Sequence, residues 1–374
     1  MKITSFNIQN LFNRQKDFIN KPAGKCVNNW LEEMNSLVRK EQKGERDLSR
    51  MRELSFLLGF EKRDYSTYAV LKKRGGDLYV QKCGFPKESK ASHFNGWNGW
   101  IELPFIPLDP IAVQNKARVI AESNADVLLL QEVEDRSALS ELNNELLPNF
   151  NCVPYDEIFI LQGNDDRGQE IAIATKNGFT LASVRSLMGE RKGDTLLFSK
   201  NLLVYEINTP SKNTVFLIAA HLEEQRGGKE KEDSQRFIQA ERIAQLYKEL
   251  RKTGHENIIV AGTFNTVPYC HSIYPIIRET DLLEITKFES FNVDFDQGKD
   301  AGYYRLGAYR MGVNIKQKDY LLLSPALFKR LKGAGLNRKG VFPSKNPQWP
   351  IYNTISSKDQ AASDHPALWA DLDI

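Results

Sequence analysis

The chain reads as an α/β or α+β layered fold, sheets covered by helices, and three observations predict it. Apolar runs of strand length recur from one end to the other, several are apolar on both faces, and amphipathic helical segments lie between them. With 374 residues and 41% hydrophobic content there is enough apolar material for a sizeable core.

The first run is "ITSFNI" at 3–8. Residues 13–108 then change character. "LEEMNSLVRKEQKGERDLSRMRELSFLLGF" has a helical rhythm of charge and apolar positions, and "KCGFPKESKASHFNGWNGWIELPFIPLDP" is rich in Gly, Pro and aromatics. This reads as an insertion into a single domain spanning 1–374, since no repeat or low-complexity linker sets it apart. A helix follows over 109–123, with Asp109 as N-cap, Pro110 at the first helical position, and Val113, Ala117, Ile120 and Ala121 on one face. Strand-like runs come next: "DVLLLQEV" (126–133), "EIAIATK" (170–176), "NLLVYEI" (201–207) and "TVFLIAAHL" (214–222). A second helix over 233–252 carries Ile243, Tyr247 and Leu250 on one face and stops at Gly254. "NIIVAGTF" (257–264), "DYLLLSP" (319–325) and "PALWADLDI" (366–374) complete the strands.

Composition excludes several classes. No window approaches the roughly 18 consecutive apolar residues of a membrane span, and "MKITSFNIQNLF" lacks the apolar core and cleavage site of a signal peptide, so no membrane partner and a cytoplasmic location are expected. Cys26, Cys83, Cys152 and Cys270 are far apart and form no C-x-x-C pair, which reads as reduced thiols. The net charge of +3, from 51 basic and 48 acidic residues, is compatible with a polyanionic substrate without identifying one.

Polar residues stand at the strand ends. Asn7 ends the first strand, Glu132 ends "VLLLQE", His221 ends "FLIAAH", Asn265 follows "IIVAGTF", Asp319 opens "DYLLLSP", and Ser363, Asp364 and His365 precede the last strand. Any one of them is explained as a turn or cap residue. Together they form a set of types that suits one reaction. The amide oxygen of Asn7 with the carboxylates of Glu132 and Asp364 makes an all-oxygen shell for a hard cation such as Mg2+. His221 and His365 can grip phosphate oxygens or move protons, and Asp319 can orient one imidazole. Metal, phosphate and histidine point to phosphoryl-ester cleavage.

"SFNIQNLF", "ADVLLLQEVED", "AAHLEEQ", "AGTFN", "DYLLLSPAL" and "SDHPALWADL" resemble, in order, the motif series of the endonuclease/exonuclease/phosphatase superfamily, whose members include deoxyribonuclease-I-like and exonuclease-III-like enzymes. "PLDPIAVQNKARVIAESNADVLLLQEVEDRSAL", "LQGNDDRGQEIAIATK" and "LLFSKNLL" are similar to a bacterial branch of uncharacterised nucleases. The resemblance implies a four-layer α/β sandwich, two packed mixed β-sheets flanked by helices, with the site at one rim. It implies Mg2+ or Mn2+ on Asn7 and Glu132 assisted by Asp364, phosphate contacts from His365 paired with Asp319 and from His221, and Asn265 holding phosphate or water. Arg167 in "NDDRG" reads as a phosphate clamp or as a surface ion pair with Asp165 or Asp166.

The pattern breaks at Thr263, where the family has an aspartate that positions or deprotonates the attacking water. A hydroxyl exchanges hydrogen bonds but is no base at neutral pH. The residue before His221 is Ala220, and "EEQ" replaces the Lys-Ser that usually follows. Three readings follow: a slow or rewired hydrolase whose base is Glu223, Glu224 or water activated on the cation; a phosphodiester-binding protein without turnover; and an engineered inactivating substitution, for which Asn or Ala is the commoner choice. The intact remainder of the shell favours retained metal binding and hydrolysis, since unused buried carboxylates are costly. DNA or RNA is the expected substrate, with "RKEQKGER", "KKRGG" and "NGWNGW" as a strand-binding groove or as ordinary solvated faces and core aromatics; a small phosphoester is the alternative.

Overall fold

Residues 1–11, 22–40, 43–58, 70–75, 79–80, 88–89, 98–102, 109–165, 168–224, 229–293, 317–343 and 349–374 are described in this computed structural model. Contacts divide the chain into two compact units, residues 1–12 with 109–374 and residues 13–108.

The larger unit holds two six-stranded sheets. The first runs, edge to edge, Leu331–Asn337, Ala367–Leu372, Lys2–Leu11, Val127–Val133, Glu170–Thr175 and Glu157–Leu161. The second runs Leu283–Glu284, Asp319–Leu323, Ile258–Thr263, Thr214–His221, Leu202–Asn208 and Thr180–Ser186. Each sheet is mixed: Lys2–Leu11 lies parallel to Val127–Val133, Thr214–His221 lies parallel to Ile258–Thr263, and the other pairs are antiparallel.

Strand periodicity explains why several runs are apolar on both faces. Val127 and Leu129 enter one core with Leu203, Leu217, Ala261 and Leu321 of the other sheet, so that core lies between the sheets. Leu128 and Leu130 point the other way, onto Ala117, Val119 and Ile120 of the helix Pro110–Ser123. On the second sheet, Val204, Ile218 and Val260 pack outward against Ala240, Ile243 and Tyr247 of the helix Lys229–Lys252. The order is helix, sheet, sheet, helix, the four-layer sandwich the motifs imply.

Asp109 caps its helix as expected, its Oδ1 accepting from Ile111 N at 2.8 Å, with Pro110 in the first turn. The buried face is rotated from the expected one. Ala117 and Ile120 are buried, but Val113 and Ala121 are only half-buried, and Asn115 and Lys116 go inside. The second helix begins at Lys229, one turn before the expected 233, and Gly254 ends it with φ +88°. "DYLLLSP" turns at Ser324 into a short helix Pro325–Phe328.

The smaller unit has its own core. The helices Pro22–Arg39 and Glu45–Leu57 pack Leu31, Met34, Met51 and Leu54 together with Ile101 of the strand Asn98–Glu102, which pairs antiparallel with Val70–Gly75. The Asn35 side chain donates to Ile101 O (3.1 Å) and accepts from Ile101 N (3.0 Å), and Arg50 grips Glu33 through two 2.7 Å bonds. Of the expected strand-binding segments, much of "RKEQKGER" lies in this unit, while the side chains of "KKRGG" and "NGWNGW" lie outside the described residues.

Gly262 sets how closely two central strands approach. Its φ is +134°, and a Cβ there would stand 1.9 Å from the Ala220 carbonyl oxygen. Gly262→Ala is expected to cost more than about 3 kcal/mol in urea unfolding, from combined strain and clash. A loss below about 1 kcal/mol would show that the strand pair is not so constrained.

Candidate active site

Register and parity bring the expected residues together. His221, Thr263 and Asp319 form one row across three neighbouring strands of the second sheet. Two residues away along each strand, Ala219, Ala261 and Leu321 point into the core between the sheets, so the polar row points the same way, at the mouth of that core. In the first sheet Ile3 faces inward, and Asn7, four residues on, shares its face. Asn7 therefore meets the row from across the sandwich.

The contact is direct. Asn7 Nδ2 donates to Thr263 Oγ1 at 3.1 Å and to Glu132 Oε1 at 3.2 Å. Thr263 Oγ1 donates in turn to Asp319 Oδ1 at 2.8 Å, and His365 Nδ1 donates to Asp319 Oδ2 at 2.7 Å. Asn7, Thr263, Asp319 and His365 thus form one continuous chain of hydrogen bonds linking the sheets.

Glu132 reaches this chain through a bulge. By alternation its side chain would follow Leu128 and Leu130 to the helix side, but the ladder shifts register between Gln131 and Val133, and Glu132 takes φ +66°. A bulge re-aims the side chain. Left-handed backbone at a buried, non-glycine residue is the kind of strain that functional positions carry. Glu132 Oε2 accepts from Gln169 Nε2 at 3.0 Å, so two neutral amides hold a carboxylate that is 5% exposed. Among the described residues the only cationic type within ion-pair distance is His221, 3.9 Å away. A buried carboxylate ringed by amides with so little positive charge beside it fits a site for a hard divalent cation, with Asn7 and Glu132 as oxygen donors.

The remaining expected residues are placed as follows. Asp364 is exposed, accepts from Gln9 Nε2 (3.1 Å) and pairs with Lys358 (3.1 Å). Its connection to Asn7 runs through Gln9, whose backbone N donates to Asn7 Oδ1 at 3.0 Å. Ser363 Oγ donates to Asn7 O (2.7 Å) and accepts from His365 N (3.0 Å), which fixes the loop that carries both. Asn265 has φ +56° and donates to Leu222 O at 2.9 Å, so its amide nitrogen braces the strand end that follows His221. Glu223 accepts a short bond from Ser199 Oγ, whereas Glu224 joins Glu132 and His221 in a cluster whose ligand atoms lie within 4.8 Å of one another. Arg167 and Asp166 lie outside the described residues.

For His365, burial alone would lower the imidazole pKa, but the charge of Asp319 and the hydrogen bond to it prevail, and the pKa is raised. Glu170, next to Gln169, is buried and pushed up to about 7, against the pull of a bond from Gly163 N and the charge of Lys200.

Three residues that shape the site escape motif reading. Gln169 holds Glu132, and Lys200 lies 2.9 Å from His221 Nε2. Lys116 is buried inside the helix face, and its ammonium donates to the carbonyls of Ile8 (2.5 Å), Gln9 (3.0 Å) and Ala362. Those carbonyls belong to the two segments that carry Asn7 and Ser363–His365, so Lys116 ties them together. A signal existed for Lys116, which stands at helical spacing between the buried Ala112 and Val119.

A sequence model of the Endonuclease/Exonuclease/phosphatase family matches residues 111–331. No curated protein matches the sequence. Among solved structures, the chain is similar to truncated TDP2 of Caenorhabditis elegans (17% identity, 69% of this chain and 89% of that one, TM-score 0.46). It is also similar to the human Nocturnin catalytic domain (15%, 72% and 89%, 0.46) and to a mannosyl-6-phosphatase of Bacteroides thetaiotaomicron (12%, 70% and 91%, 0.47). No helix among the described residues is long and apolar enough to cross a membrane.

Burial lowers the Lys116 pKa from 10.5 to about 7, with Glu132 and Asp364 pulling the other way. A lysine whose folded pKa lies below its unfolded value costs the fold most at low pH, and the cost is relieved as pH rises from the folded towards the unfolded pKa. The stability of the wild type relative to Lys116→Met is therefore expected to increase between about pH 7 and pH 10, by at most about 1.4 kcal/mol per pH unit. Urea unfolding of both proteins across that range checks it, and a flat or falling difference would contradict it.

Proposed function

Because this chain belongs to the endonuclease/exonuclease/phosphatase family, we propose that it is a divalent-cation-dependent phosphodiesterase, a cytoplasmic nuclease that hydrolyses DNA or RNA, with residues 13–108 as an insertion in its one catalytic domain. The observation that carries this reading is the hydrogen-bonded chain from Asn7 through Thr263 and Asp319 to His365, with Glu132 bonded to its first member. Such a set has no simple packing role, since an apolar mouth would be cheaper to bury.

Asn7 and Glu132 would hold Mg2+ or Mn2+, with Asp364 assisting from the adjacent loop. When bound, the cation supplies positive charge that polarises the phosphate and offsets charge developing on its oxygens. Asp319 holds the His365 imidazole by its Nδ1–H, which leaves Nε2 as the nitrogen for a phosphate oxygen. Thr263 orients Asp319 and Asn7 and takes no proton, because a hydroxyl is no base at neutral pH. Glu224, which shares a cluster with Glu132 and His221, is the carboxylate on the loop after His221 that would accept a proton from water, directly or through a second water. A base displaced from the usual strand end predicts slow turnover.

The purified protein with Mg2+ or Mn2+ is expected to cleave single-stranded DNA, RNA or a bis-aryl phosphodiester, and Glu132→Ala to lower that rate by at least about a hundredfold. Equal rates from the two proteins would assign the activity to a contaminant. Binding of the oligonucleotide without any product would make the chain a binding protein, and cleavage of a small phosphomonoester alone would make it a phosphatase.

A further inference from the structure

We infer that the Lys200 ammonium stands where a second cation would otherwise bind, so that the site takes a single divalent ion and keeps His221 as a hydrogen-bond acceptor. This rests on the metal-dependent reading of the site.

Glu132, His221 and Glu224 offer three ligand atoms within 4.8 Å of one another, a mixed oxygen and nitrogen set of the kind that holds a divalent ion. Lys200 already lies among them. Its side chain is 3% exposed, and Nζ is 2.9 Å from His221 Nε2 and 3.7 Å from Glu224 Oε1. Its own carbonyl accepts from Asn164 N at 3.0 Å, and the side chain of the preceding Ser199 is bonded to Glu223.

The chemistry is exclusive. An ammonium has three donors and no acceptor, so its contact with His221 requires Nε2 to be the unprotonated nitrogen. A neutral imidazole has one such lone pair, and a metal ion needs the same one. Lys200 and a cation on His221 Nε2 therefore cannot coexist. In this tautomer the proton sits on Nδ1, so Nε2 has none to offer a leaving group.

Charge agrees with this. Next to His221 in the strand row, Thr263 brings a neutral hydroxyl, and Asp319 is paired with His365. Glu132 and Glu224 are the carboxylates of the cluster, and the Lys200 ammonium lies beside Glu224. A fixed ammonium also places positive charge in the cluster with its dehydration already met on folding, whereas a second ion would lose water on each binding.

The test is Mn2+ binding to the full chain, counted by titration calorimetry and examined by pulsed electron paramagnetic resonance for directly bound nitrogen. The wild type is expected to bind one ion with no directly bound nitrogen. Lys200→Met, checked for folding by circular dichroism, is expected to bind two, one of them with an imidazole nitrogen, and Lys200→Arg to bind one as the wild type does. Two ions on the wild type, or imidazole nitrogen on its single ion, would overturn the inference whatever the variants do. One ion on both wild type and Lys200→Met would also overturn it while leaving the metal-dependent function standing. No bound ion on the wild type would overturn both.

Discussion

The bond from Asn7 to Thr263 is the only step in the Asn7–Thr263–Asp319–His365 chain that crosses between strands of different sheets, and the site depends on it. Two sheets that bury a common apolar core must end somewhere, and at this rim the facing positions are polar. Polar groups buried at a sheet interface are tolerated only when each finds a partner. Asn7, Thr263 and Asp319 satisfy one another there, and Thr263 is the member that both accepts and donates. A hydroxyl is suited to this position, because an aspartate would bring a second carboxylate against Asp319 and need a counter-charge to hold it.

Much of this was legible in the sequence, for identifiable reasons. Strand periodicity and double-faced apolar runs predicted the layers, and the polar residues at strand ends predicted which side chains meet at the rim, because a sheet presents the last side chains of its strands there. What escaped were interactions set by departures from regularity. The bulge at Glu132 turns that side chain against its expected parity, and no local residue announces it. The strands Thr180–Ser186 and Leu331–Asn337 have few strong apolar positions, being an edge strand and a strand interrupted by Gly333 and Gly335, and a one-sequence reading passes over them. Lys200 and Gln169 are ordinary residues by type, made relevant only by which strand ends the fold places beside them. Asp364, expected to assist Asn7 and Glu132, bonds directly to Gln9 and Lys358 and is linked to Asn7 through Gln9.

The cationic side chains supply a common theme. Lys116 fastens the loop segments on one side of the mouth, and Lys200 sits beside His221 on the other. Both are buried, and both are held by contacts that a solvated lysine would not need. Burying an ammonium is expensive, so its retention at two positions around one cluster of carboxylates is most simply explained by the negative charge gathered there. Two lysine side chains are in this way built into the rim of the candidate site.

The most direct measurement is the single-turnover cleavage rate of Thr263→Asp beside the wild type, with Mg2+ in excess and a labelled oligonucleotide. If Thr263 preserves the connection between the sheets but withholds a base, the variant should be faster by about 10²- to 10⁴-fold, the usual contribution of a general base. An unchanged or slower rate, from a variant that unfolds at the same denaturant concentration, would contradict this and show that the hydroxyl at position 263 is not what slows the site.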